Sequence, residues 1–352
     1  MSIIPETMKA AVVQADKTMT IVDVPVPSID ETEILVRTTA VAQNPTDWKH
    51  VRLMTHPGTI VGVDFAGVVV KIGDAVSGVS VGDRVAGFVH GGQYKDRGAF
   101  AEYVKAAGDL VWKIPEGTSD EQAAAVNVGA WTAAQMLFSP RYLNLIEPPE
   151  KVTGVEWVFI YGGSTSVGLY AIQLAHLAGY KVATVASPKN HALLKTYGAD
   201  VVHDYRDPDA ISKVKAATND SIHYGIDTIS ELETQKFSVQ VLAEGPGKIV
   251  VSLGIYPEAT QLRSDVEFSN SLLYTVLNRE FYNAAFGGTM PAFPEDNKHM
   301  VNFVKKLPEL VKSGALLPNP LKYFDGGLSG INAGFDYMIA GKNSAEKIVF
   351  RI

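Results

Sequence analysis

Trp157-Val158-Phe159-Ile160-Tyr161-Gly162-Gly163-Ser164-Thr165-Ser166-Val167-Gly168 is the stretch on which the fold turns. Its first five residues form an apolar run suited to a strand buried on both faces of a parallel sheet. The glycine-rich turn then opens a helical run from Ser166 to Ala178, stopped by Gly179. Such a turn lets backbone amides approach a pyrophosphate, and the helix dipole favours the negative charge. The motif is not a strict G-x-G-x-x-G, since Ser164 and Val167 hold the second and third glycine positions. Taken alone it also fits a plain strand–helix connection.

The residues downstream favour the nucleotide reading. Strands are expected at Lys181–Val185, Val201–Val202, Ile222–Ile229 and Lys248–Leu253, with a sixth at Leu272–Leu277. Helices intervene, among them His191–Tyr197 before Gly198. Strand–helix alternation of this kind implies an open parallel sheet wrapped by helices. After the second strand comes Ser187-Pro188-Lys189-Asn190, without a carboxylate. An acidic residue there would bind a ribose 2′-hydroxyl, whereas a hydroxyl and an ammonium suit a 2′-phosphate, so NADPH is favoured over NADH. Lys189 as a solvated loop lysine is the plainer alternative. Tyr205 can cover the same phosphate or the adenine.

Upstream the texture differs. Through about Pro115, β-branched runs punctuated by Gly and Asp, such as Val61–Val70 and Val81–Gly87, suggest a compact antiparallel barrel. Ser119 or Asp120 caps a helix, a second helix runs from Gly129 through Phe138, and the three prolines of Ser139–Gly154 suggest a surface excursion. Past Ala285, one amphipathic helix (Asp296–Val311) and a final strand (Lys347–Ile352) return to the first domain. The expected division is 1–128 with 286–352, and 129–285.

The totals restrict function further. At 352 residues, two domains are the default. The net charge of −7, without a basic block, argues against nucleic acid as partner. No window suits a membrane span or a secretory signal, which makes the cytoplasm the expected address. There are no cysteines, which removes disulfides, thiol nucleophiles and thiolate metal sites. The eight histidines show no metal-ligand spacing and are expected on the surface or on helices without catalytic work. Asp64 and Asp83, in turn-rich segments, are expected to bond backbone.

Val61-Gly62-Val63-Asp64-Phe65-Ala66-Gly67, Val81-Gly82-Asp83-Arg84-Val85 and Gly98-Ala99-Phe100-Ala101-Glu102-Tyr103-Val104 resemble the barrel signatures of the medium-chain dehydrogenase/reductases. The resemblance covers nearly the whole chain. It implies an α/β plus β architecture: a GroES-like barrel catalytic domain with a Rossmann dinucleotide-binding domain. Zinc-dependent members carry a Cys near Asn44 or Pro45 and Gly-His-Glu at Gly62-Val63-Asp64. Both are missing here, which argues against zinc-based alcohol oxidation.

Asn44-Pro45-Thr46-Asp47-Trp48-Lys49, Tyr161–Thr165, Ser187–Asn190, Asp204-Tyr205-Arg206 and Ser344-Ala345-Glu346-Lys347 are similar to the trans-acting enoyl reductases of fungal polyketide biosynthesis, the lovastatin type included. That resemblance implies that Thr46, Asp47, Trp48 and Lys49 line the nicotinamide side. Ser164, Thr165, Ser166 and Val167, with Ser187, Pro188, Lys189 and Asn190, would hold phosphates, with Tyr205 beside them. Leu253 and Gly254 would meet the nicotinamide end, Ser344 and Ala345 would close over the cofactor, and Thr132 would face substrate. Lys49 becomes the candidate donor or acid, with Thr132 positioning it or the carbonyl. The implied partner is an acyl chain tethered to a polyketide synthase carrier protein, and the implied state is a monomer. Two alternatives stand beside it: a stand-alone quinone or enone reductase, and an NADPH-binding member with a scaffold or non-redox role. Phe281, Tyr282, Phe286, Met290 and Phe293 suit a hydrophobic chain near the cofactor, or equally packing between domains.

Overall fold

The computed structural model describes residues 4–54, 56–283 and 287–352. The chain divides into two compact units, 1–128 with 274–352, and 129–273. The return to the first unit thus falls at Tyr274, earlier than the 285/286 boundary read from the sequence. Phe286 lies outside the described residues.

The first unit begins with a hairpin, β1 (Thr7–Val13) and β2 (Met19–Pro25). Strand β3 (Glu33–Ala42) is followed by the short helix α1 (Pro45–Lys49) and then by β4 (Asp64–Ile72). After these come β5 (Arg84–Phe88), β6 (Tyr103–Ala107), β7 (Val111–Lys113) and helix α2 (Asp120–Ala124). Ser119 caps α2 and accepts the Gln122 amide at 3.1 Å. The pattern of buried Val, Ala and Phe along β3 and β4 makes them the heart of the sheet, and their core includes Val36, Val41, Phe65, Val69 and Phe100.

The second unit carries the alternation expected of it. Helix α3 (Asn127–Phe138) leads to β8 (Trp157–Tyr161), α4 (Ser166–Leu177), β9 (Lys181–Val185), α5 (His191–Thr196) and β10 (Val201–His203). Then follow α6 (Ala210–Ala217), β11 (Ile222–Asp227), α7 (Leu232–Gln240), β12 (Gly247–Val251), α8 (Pro257–Thr260) and β13 (Val266–Asn270). The strands lie in the order β10-β9-β8-β11-β12-β13, all parallel. This is the doubly wound order, whose ligand crevice opens where β8 and β11 send their connections to opposite sides.

Two elements depart from the sequence reading. The sixth strand is β13, not Leu272–Leu277, and Leu273–Leu277 is instead a 3₁₀ segment. Val266 and Phe268 bury against the sheet core, so β13 has the better face for pairing with β12. The segment 139–154, expected at the surface, buries Tyr142, Leu143 and Leu145.

Within the resumed first unit, β14 (Phe281–Asn283) pairs antiparallel with β15 (Gly288–Met290). The single helix expected over 296–311 is two, α9 (Pro294–Val304) and α10 (Leu307–Lys312). Pro308 has no N–H for the Val304 carbonyl four residues back and its ring crowds that carbonyl, so α9 stops at Val304 and Pro308 sits in the first turn of α10. The last elements are β16 (Leu321–Tyr323), α11 (Ile331–Ile339) and β17 (Lys347–Arg351). One edge of β3 is shared, with β6 along Glu33–Arg37 and β17 along Ala40–Ala42. No described helix is long and apolar enough to cross a membrane.

Candidate functional site

In the second unit the site is the turn between β8 and α4. Gly162 takes φ +81°, a conformation that favours glycine, and so reverses the chain directly after the strand. A Cβ on Gly168 would lie 2.3 Å from the Gly162 carbonyl oxygen, so the helix start packs against the turn with no room for a side chain. Gly168 therefore supplies the close helix–strand approach that the third glycine gives in the usual fingerprint.

Thr165 caps α4, its hydroxyl accepting the Gly168 amide at 2.9 Å. The same hydroxyl lies 2.9 Å from Thr228 Oγ1, and Thr228 donates to the Tyr161 carbonyl at 2.9 Å. These bonds tie the turn to the end of β11, across the sheet's switch point. The amides of Ser164 and Val167 have no protein partner among the described residues, as befits the first turn of a helix ready for an anion. Ser166 lies in that first turn.

The next two connections flank this turn. Ser187 precedes a 3₁₀ turn, Pro188–Asn190, in which Lys189 is exposed and Asn190 buried. Lys189 forms no ion pair among the described residues. Arg206, by contrast, is bound through both Nε and Nη2 to Asp204, each at 2.9 Å. Its guanidinium also stacks 5.5 Å from the exposed ring of Tyr205. Lys189 is thus a cation without an ion-pair partner among the described residues at this turn.

Beyond β12, Asn270 Nδ2 donates to the Leu253 carbonyl at 2.5 Å and Gln235 Nε2 to the Gly254 carbonyl at 2.8 Å. Two amide side chains invisible to the sequence reading therefore hold the expected nicotinamide end. Thr132 is buried on α3.

In the first unit the site is α1. Asn44 begins the helix, Pro45 occupies its first position, and the Asn44 amide donates to Asp47 Oδ2 at 2.7 Å. Asp47 is 1% exposed, and its carboxyl is committed to shaping this segment. Desolvation is the main cause that holds its pKa well above the usual carboxylate range, and Asp64 adds to it. Trp48 packs against the core, and Lys49 Nζ stands 5.8 Å from the Trp48 ring centroid. Burial lowers the Lys49 pKa, and no carboxylate pairs with it among the described residues.

Beneath α1 lies a charge cluster. Lys347 Nζ is 2.5 Å from Asn44 Oδ1 and 3.0 Å from Asp64 Oδ2, and Asn44 Nδ2 donates to Asp64 Oδ2 at 2.7 Å. Asp64 Oδ1 also accepts the Val128 amide at 2.9 Å. Asp64 and Lys347 are both buried, so each neutralises the other. The backbone bond matches what its turn-rich context suggested, but the lysine partner was missed. Among the described residues no three His, Cys, Asp or Glu side chains are grouped to hold a metal ion. Ser344 and Ala345 lead into β17, with Ala345 at φ +54°.

His50 lies on a helical segment, His50–Met54, whereas His90, neither at the surface nor on a helix, departs from the expectation for the histidines; the two are buried at 3% and 4% exposure. Burial pushes the His50 pKa down to about 4 and that of His90 well below the ordinary value, so both are neutral at pH 7. His90 stacks on Tyr274 at a centroid distance of 3.8 Å, and Tyr274 OH lies 2.6 Å from Thr46 Oγ1. Phe281 joins this cluster, whereas Tyr282 is exposed.

Two family matches accord with these units: the alcohol dehydrogenase GroES-like domain over residues 30–116 and the zinc-binding dehydrogenase family over residues 166–306. A zinc-type alcohol dehydrogenase-like protein of Schizosaccharomyces pombe is 35% identical over 98% of this chain and 100% of its own length. Trans-enoyl reductase ACTTS2 of Alternaria alternata is 36% identical over 98% of this chain and 99% of its own. The crystal structure of the CurK enoyl reductase superposes with a TM-score of 0.78 at 19% identity, covering 99% of both chains. The fold implies a nicotinamide dinucleotide as cofactor, and the orphan amides of the β8–α4 turn fit its phosphates. The chain belongs to the medium-chain dehydrogenase/reductase family of oxidoreductases, in the company of the fungal trans-enoyl reductases.

Proposed function

We propose that this protein is an NADPH-dependent enoyl reductase that acts in trans on an α,β-unsaturated thioester carried by a polyketide synthase. The observation that carries the reading is the full-length similarity to a trans-enoyl reductase. The choice of NADPH is supported by the carboxylate-free Ser187–Asn190 turn and its unpaired Lys189. A bound 2′-phosphate would find there a hydroxyl, an ammonium and no repelling charge.

When bound, the cofactor supplies a hydride equivalent for the β-carbon of the alkene. The remaining work falls to the chain. Ser164 to Val167 and Ser187 to Asn190 hold phosphates, with Tyr205 over the 2′ end. Leu253, Gly254, Ser344 and Ala345 complete the cofactor's surroundings. As the alkene's π pair shifts toward the carbonyl, charge develops on oxygen and needs a donor. The α-carbon then needs a proton. Lys49 serves as that acid: its ammonium is half-buried and unpaired, and the lowered pKa makes it a readier proton donor than a surface lysine. Thr132 orients the substrate end.

The test is NADPH oxidation with a simple enone and then with an α,β-unsaturated acyl-pantetheine. Turnover with both, faster with the pantetheine thioester, supports the reading. Equal rates would favour a stand-alone enone or quinone reductase. No oxidation with either would leave only a dinucleotide-binding protein.

A further inference from the structure

Thr46 stands at the N-terminus of α1 and is half-buried. Its Oγ1 has two protein neighbours, Tyr274 OH at 2.6 Å and His50 Nδ1 at 3.3 Å. The proton positions around it follow from elementary hydrogen-bond rules. His50 Nδ1 lies 2.9 Å from the Thr46 carbonyl oxygen, which can only accept, so Nδ1 carries the imidazole's proton. Because His50 is neutral at pH 7, that is its single N–H, and it faces Thr46 as a donor. Thr46 therefore cannot donate to His50.

The bond to Tyr274 has a direction as well. A phenol is a stronger donor than an alcohol, and desolvation holds the Tyr274 hydroxyl in its protonated form. Tyr274 OH has no other acceptor among the described residues, so donation to Thr46 is what satisfies it. Oγ1 then accepts from Tyr274 and from the weaker branch of the bifurcated His50 N–H, and its own proton is left for an acceptor outside the described residues. The Tyr274 ring cannot turn away, because His90 stacks on it at 3.8 Å, while Phe88 and His50 close it in at centroid distances of 5.6 and 5.9 Å.

We propose that Tyr274 is a positioning residue that, with His50, sets the Thr46 hydroxyl as a one-way donor to the carbonyl oxygen of the reacting enone. The inference rests on the enoyl-reductase reading above and divides its labour: Thr46 receives the charge developing on oxygen, while Lys49 is left free to protonate carbon. Every bond in the arrangement is within the first unit, so Thr46 is preset as a donor before substrate arrives.

The test is steady-state reduction of a simple enone by NADPH with Tyr274→Phe, Thr46→Val, Thr46→Ser and the Tyr274→Phe/Thr46→Val double variant. Tyr274→Phe keeps the ring stack and should leave the melting temperature and the KM for NADPH unchanged. Its kcat should fall about tenfold, less than the roughly hundredfold loss expected on removing the donor itself by Thr46→Val. The double variant should be no slower than Thr46→Val, because Tyr274 acts only through that hydroxyl. Thr46→Ser should keep most of the turnover. An active parent with undiminished Tyr274→Phe, or losses that multiply in the double variant, would overturn the positioning role and leave the enoyl-reductase reading intact. A parent inactive toward every enone would overturn both.

Discussion

Lys49 is a lysine in surroundings that disfavour its charge: half-buried, beside Trp48, with no counter-ion among the described residues. Burial lowers its pKa, so the ammonium is lost at a lower pH than that of a free lysine. If it is the acid, kcat should decline as pH rises through that lowered value, while NADPH binding holds steady. Lys49→Ala should cost about a hundredfold in kcat, the ordinary worth of a general acid, and remove the alkaline decline. A pH–rate series on parent and variant checks both, and an unchanged kcat would remove Lys49 from the mechanism. Lys49 was legible because it sits in a contiguous motif. His50 and His90 were not, since an isolated histidine carries no sign of its burial, and here burial alone fixes their charge.

At the scale of elements, the β8–α4 turn was readable despite its irregular glycine spacing, because a buried strand, a turn and a capped helix each leave a local signature. What could not be read was the reason for Gly168, a contact with the Gly162 carbonyl that only the folded turn creates. Gly168→Val should force the helix start away from the turn, destabilise the protein by more than about 2 kcal/mol and abolish dinucleotide binding. Thr165→Val, which loses the cap and the bond to Thr228 but fits the turn, should cost about 1–2 kcal/mol and spare dinucleotide binding. Urea denaturation and a nucleotide titration distinguish the two, and equal behaviour would refute the packing argument. The misplaced sixth strand has a different cause. Leu272–Leu277 is the more apolar run, but β13 pairs along only one side, so its alternation is short and partly polar. Pro308, which divides the late helix, is itself a local signal of that break.

Over the whole chain, two textures in sequence marked out two kinds of sheet, and local pattern sufficed for that. The contacts that complete the site span distances no local pattern reports. Thr46 and Tyr274 are 228 residues apart, and Asn44 and Lys347 are 303 apart. Lys347 anchors β17 beneath α1 by pairing with Asp64, both out of water. Lys347→Met should therefore destabilise the protein by about 3–5 kcal/mol, since it strands a buried carboxylate, and adding Asp64→Asn should recover part of that loss. Denaturant midpoints of the two variants test this, and a double variant no better than the single would contradict it. The account as a whole depends on a phosphorylated nicotinamide dinucleotide being the ligand of the second unit. Its most direct measurement is a fluorescence titration of the parent and Lys189→Ala with NADPH and with NADH. The parent should bind NADPH more tightly than NADH, and the variant's loss should be confined largely to NADPH. Equal weakening of both nucleotides, or no binding of either by the parent, would contradict this.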